Sequence, residues 1–108
     1  MQRNNYKKIM EIIWTNTALE SYEEIVDYIT AKFTLKETND FINTTYTVIN
    51  LIKQNNKIGG PYKKTIYRQL LISEQTYLFY KLEDNKIYLS IFWNNLKNPL
   101  ELNTILRS

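Results

Sequence analysis

The side chains able to engage an anion lie mostly in the second half of this chain: Lys63, Lys64, Arg68, Tyr80, Lys81 and Lys97. A guanidinium such as that of Arg68 can grip a phosphate through two parallel hydrogen bonds and steady charge that builds during an in-line attack. The bland alternative is an edge arginine that reaches water or pairs with an acid. Lys63 and Lys64 can meet RNA phosphates or an acidic partner, or be a plain solvated pair. Tyr80 and Lys81 alternate on one strand, so they face opposite sides of a sheet and only one can share a side with Arg68. The chain has no histidine and no cysteine. Any catalysis must therefore come from Lys, Arg, Tyr, Asp or Glu, and thiolate or zinc–thiolate chemistry is excluded.

Other chemistry finds little support. Glu23, Glu24 and Asp27 lie on one helical stretch, but with no further acid converging they read as a solvated face, so no metal and no cofactor is expected. Gly59-Gly60-Pro61 lacks the Lys-Ser/Thr that follows a phosphate-binding loop. Trp14 and Trp93, at the ends of two strands, read as core caps.

These residues need a scaffold. With 108 residues, of which 44% are hydrophobic, the chain can form a single domain, 1–108, with a real core. Charge is uneven: residues 1–50 carry five basic and seven acidic side chains, residues 51–108 nine and four. The basic half suits an anionic partner. No apolar run is long enough to span a membrane. Glu11 interrupts the apolar patch near the N-terminus, so the opening reads as a polar lead-in rather than a signal peptide. A cytoplasmic protein is expected.

Ile9–Trp14 reads as a first strand. Thr15 or Thr17 opens a helix, with Thr17–Glu20 fitting a capping box and a core stripe of Ala18, Tyr22, Ile25, Val26, Ile29 and Phe33. Thr34–Glu37 fits a second box, before a helix that runs to about Asn55 with Phe41, Ile42, Thr45, Val48, Ile49 and Ile52 as its stripe. The short connection at 33–36 forces a tight helical hairpin. Gly59-Gly60-Pro61 punctuates a loop. Ile66–Ser73, Thr76–Leu82 and Lys86–Trp93 read as strands, the last two joined at Glu83-Asp84-Asn85. Asn98-Pro99 fits a helix start with Asn98 as N-cap. The expected class is α+β, in the order β-α-α-β-β-β with a short C-terminal helix, and with the helical hairpin on one face of a three-stranded antiparallel sheet.

With these segments in view, the chain resembles the RelE/ParE superfamily of type II toxin–antitoxin toxins, in particular the plasmid stabilisation toxins. The carrying residues are Ile12-Ile13-Trp14-Thr15, Ala18-Leu19, Ile25–Ile29, Gly60-Pro61-Tyr62, Tyr67–Leu70, Leu78-Phe79-Tyr80, Ile91–Asn94 and Asn98-Pro99. The likeness spans roughly residues 8–102. It implies a growth-inhibiting toxin neutralised by a cognate antitoxin, as a homodimer or a hetero-oligomer with that antitoxin. It also implies one of two targets: ribosome-bound mRNA, which RelE-like members cut, or DNA gyrase, which ParE-like members poison. Arg68 falls on the family's strand arginine, Tyr80 on a tyrosine that stacks on a base, and Lys63 and Lys64 where members carry basic residues. Many relatives end their last strand Asp-Asn-Arg-Gln-Asn-Pro. Here Asn94-Asn95-Leu96-Lys97-Asn98-Pro99 puts Leu96 at the arginine position, leaving Lys97 to supply charge without the fork. The rival expectation is a non-toxic or decayed basic module that binds nucleic acid or protein.

Overall fold

The computed structural model describes residues 10–95 and 99–107. The chain runs β1 (Glu11–Trp14), α1 (Asn16–Lys32), α2 (Leu35–Gln54), β2 (Gly60–Pro61), β3 (Tyr67–Ser73), β4 (Thr76–Glu83), β5 (Lys86–Asn94) and α3 (Pro99–Arg107). Leu96, Lys97 and the Asn98 cap lie outside the described residues, as does Ile9, the expected start of the first strand.

The sheet has five strands rather than three, in the order β1-β5-β4-β3-β2. The first strand joins it, pairing parallel to β5 with Trp14 opposite Leu89. Gly60 and Pro61 add a two-residue edge strand opposite Gln69 and Arg68. The β4–β5 hairpin closes at Asp84 and Asn85, both with positive φ (53° and 61°). This is the two-residue turn whose twist matches that of the strands, and Asp and Asn tolerate it best after Gly.

Ser90 makes a bulge in β5. Phe79 pairs with Ile91 and Tyr80 with Leu89, so Ser90 has no opposite number. The extra residue lets Leu89 and Phe92 both join the helix-side cluster while Ile91 and Trp93 face the other way. The Phe92 amide donates to Ser21 Oγ at 2.9 Å, which ties α1 to the strand just past the bulge.

Thr15 caps α1; the Thr17–Glu20 box does not form. The Ala18 amide donates to Thr15 Oγ1, which itself donates to the Leu89 carbonyl at 2.8 Å. That bond to β5 favours Thr15, a preference no local pattern encodes. Thr34 caps α2 as expected, taking the Glu37 amide at 3.2 Å.

Both faces of the sheet are covered. Phe41, Val48, Ile49 and Ile52 from α2 and Ala18 from α1 pack on Ile72, Leu78, Tyr80, Ile87, Leu89 and Phe92. On the far face Leu102 and Leu106 of α3, with Tyr62, cover Phe79, Ile91 and Trp93. Trp14 stacks on Phe92 with ring centroids 5.5 Å apart. Phe33, expected in the α1 stripe, is exposed instead, because it lies at the tip of the helical hairpin.

Candidate functional site

The helix side of the sheet holds Arg68 and Tyr80. They are direct cross-strand partners on β3 and β4, so they share a face, and Lys81 takes the other. Tyr80 is 0% exposed, packed among the helix-side apolar residues. Its hydroxyl donates to the Asn56 carbonyl at 2.9 Å and accepts from the Gly59 amide at 2.9 Å. Arg68 Nε donates to the Gly59 carbonyl at 2.8 Å, and Nη2 to the Lys57 carbonyl at 3.4 Å. Both side chains thus fasten the loop that carries the chain from α2 into β2. A Cβ on Gly59 would stand 2.8 Å from the Gln69 carbonyl and from the Tyr80 hydroxyl, so only glycine brings the loop this close.

This arrangement limits what the pair can do chemically. Burial raises the Tyr80 pKa above its usual 10.0, against the opposing influence of the Gly59 amide and the Arg68 charge. The phenol stays protonated at neutral pH and is no general base. Its ring has no face open to a nucleobase, so the stacking role expected for Tyr80 does not fit this position. Arg68 is half-buried and spends at least two of its five N–H donors on backbone carbonyls.

The opposite face carries the lysines and further tyrosines. Lys81 stands between Tyr67 on β3 and Tyr88 on β5 in one cross-strand row. Its Nζ lies 5.5 Å from the Tyr88 ring centroid and 3.0 Å from Glu83 Oε1. The Glu83 hydrogen bond raises the Lys81 pKa, so the ammonium persists, though its charge is partly answered. Lys63 and Lys64 sit on a loop that ties itself together. The Tyr62 amide donates to the Tyr67 carbonyl at 2.9 Å, and Thr65 Oγ1 donates to the Tyr62 carbonyl at 2.7 Å. Lys63 has φ 49° and places its ammonium 5.2 Å from the Tyr62 ring centroid. Tyr62 in turn donates to Asn103 Oδ1 at 2.7 Å, fixing the loop to α3. The two lysines flank a recess of about 520 Å³.

The expected residues therefore fall into two groups on opposite sides of the sheet: Arg68 with Tyr80, and Lys81 with the lysine loop. Lys97 lies outside the described residues. Sequence reasoning missed Tyr67 and Tyr88 as neighbours of Lys81, since only the strand register brings them together. It also missed Asn56 and Gly59 as partners of Tyr80. The one available signal for Gly59 was that the chain places its only two glycines side by side at that loop. Glu23, Glu24 and Asp27 lie on the exposed side of α1. Among the described residues no helix is long and apolar enough to cross a membrane.

No protein-family model and no curated protein matches the sequence. Solved structures do match. A chain of the chromosomal ParDE TA system from P. aeruginosa superposes with a TM-score of 0.70 at 13% identity, over 80% of this chain and 96% of that one. A chain of the E. coli DinJ–YafQ toxin–antitoxin complex gives 0.56 at 13% identity, over 82% and 96%. A chain of the YoeB–YefM complex from Staphylococcus aureus gives 0.52 at 16% identity, over 77% and 93%. At such identities the likeness establishes the fold. It is the fold shared with these chains of toxin–antitoxin systems, in line with the fold that the sequence resemblance implied.

Proposed function

We propose that this chain is the toxin of a type II toxin–antitoxin pair in the bacterial cytoplasm, silenced by a cognate antitoxin, and that it acts by binding a protein target rather than by cutting RNA. The fold likeness to ParDE, YafQ and YoeB systems supports the toxin reading. The absence of cleavage rests on one observation: the Arg68 guanidinium is held by the Gly59 and Lys57 carbonyls. Its cross-strand partner Tyr80 is buried and protonated, and the chain has no histidine to take its place. A nuclease needs a group that accepts a proton and a charge aimed at the scissile phosphate. This pair is turned to structural use instead. DNA gyrase, the target of ParE-like toxins, is the first candidate.

A second reading, ribosome-dependent mRNA cleavage, draws on the outer face. There Lys81 stands between Tyr67 and Tyr88, near the Lys63–Lys64 loop, and could meet phosphates and bases.

Pulsed expression in a bacterial host separates the readings. The expected result is killing with mRNA intact, and trapping of gyrase–DNA cleavage complexes by the purified protein. Translation-dependent mRNA cleavage that disappears in a Lys63→Ala, Lys64→Ala, Lys81→Ala triple variant would establish the second reading. Survival of the host would return the chain to a non-toxic binding module.

A further inference from the structure

At the end of the molecule away from the Arg68 loop, the helical hairpin and the β3–β4 turn enclose an open notch of about 500 Å³. Its floor is apolar, formed by Ile25, Ile29 and Phe41. Tyr28 and Phe33 form one wall; they are 53% and 52% exposed, with rings in an edge contact at 6.3 Å. Ile25, Ile29 and Phe33 continue one stripe of α1 at helical spacing. Ile25 and Ile29 pack against the main core, but Phe33 reaches the hairpin tip and stays exposed. An apolar stripe that outruns the surface it packs on marks a contact made with something else.

The rim decides what that something is. Glu37 and Asp40 on α2 and Glu74 in the β3–β4 turn border the notch. Lys36 answers Asp40 at 2.9 Å, but both side chains are largely exposed and such a pair opens readily to a competing cation. The Glu37 carboxylate accepts from the Thr34 hydroxyl at 3.3 Å. The lysines of the Tyr62–Tyr67 loop and of β4 lie elsewhere on the molecule. A ligand suited to those lysines, an acidic segment or a phosphate backbone, would be repelled here.

We propose that this notch docks a partner protein through a short amphipathic segment rich in lysine or arginine. One or two large apolar side chains of the segment seat against Tyr28, Phe33 and the Ile29–Phe41 floor, and its cations meet Glu37, Asp40 and Glu74. The site is independent of the toxin reading: binding needs neither toxicity nor the Arg68 loop.

The test is a titration of the isotopically labelled full chain, followed by amide NMR, with an amphipathic leucine–lysine peptide and with its leucine–glutamate counterpart of equal length. The expected result is that the lysine peptide shifts the amides of Tyr28, Phe33 and Gln75, and the glutamate peptide does not. Phe33→Asp, and separately the pair Glu37→Lys and Glu74→Lys, should weaken binding by about tenfold or more. Thermal unfolding should stay unchanged in Phe33→Asp, because that side chain is exposed. Shifts centred on the outer acids of α1, equal binding of the two peptides, or indifference to Phe33→Asp would each overturn the proposal. So would a dimer of the unliganded protein in sedimentation that Phe33→Asp dissolves, since a second copy would then be the occupant.

Discussion

Tyr22 and Tyr80 contain the same phenol in opposite circumstances. The Tyr80 hydroxyl is satisfied twice, by Asn56 and Gly59. The Tyr22 ring packs among the Trp14, Phe41 and Phe92 rings, and its buried hydroxyl has no hydrogen-bond partner among the described residues. Thr45 lies close enough to ease its ionisation, yet its hydroxyl, which donates to the Phe41 carbonyl at 2.8 Å, makes no hydrogen bond with the phenol. Removing the two hydroxyls should therefore have opposite effects. Tyr80→Phe strands a buried amide and a carbonyl and should destabilise the fold by about 1–3 kcal/mol. Tyr22→Phe removes only a desolvated hydroxyl and should leave stability equal or higher by up to about 1 kcal/mol. Urea unfolding of both variants beside the native chain checks the pair. Equal losses would mean that Tyr22 has a partner in solution.

Among the elements, the loop from Asn55 to Pro61 joins the helical half to the sheet half, and its two glycines are not equivalent. A methyl at Gly59 meets the Gln69 carbonyl, part of the β3 backbone, which cannot move aside without disturbing its ladder to β4. At Gly60 nothing lies within 4 Å. Gly59→Ala should cost about 1–3 kcal/mol through overpacking, and Gly60→Ala should be near neutral. Comparison of their denaturation midpoints tests this. The same loop marks where the sequence stopped being informative. Local signals fixed the helices, since Thr34 and the α2 stripe act within one segment, and they fixed the Asp84-Asn85 turn. They could not show that Thr15 rather than Thr17 would cap α1, because a β5 carbonyl decides it. The parallel pairing of β1 with β5 and the Ser90 bulge are equally non-local. Arg68 was legible as a cation on a strand. Its engagement with Gly59 and Lys57 was not, since the path of that loop depends on a close approach visible only in the folded chain.

At the scale of the whole molecule, the helical hairpin covers one face of the sheet, and α3 with Tyr62 covers Phe79, Ile91 and Trp93 on the other. Tyr22 and Tyr80 both belong to the hairpin side, so their titration acts on the core that joins the two halves of the chain. Burial raises the pKa of each above its usual 10.0. Below that value both phenols are neutral in the folded and the unfolded chain, and their contribution is intact. As pH climbs past about 10, the unfolded chain ionises first and sheds protons that the folded chain still holds. Stability should therefore fall with rising pH until the folded-state pKa is reached. Urea midpoints measured between about pH 8 and about pH 11 would show it. In Tyr22→Phe the decline should be shallower, because one of the two raised groups is gone. A native chain whose midpoint holds steady across that range would mean that neither phenol is kept from water in solution, and the sealed hairpin side would have to be reconsidered.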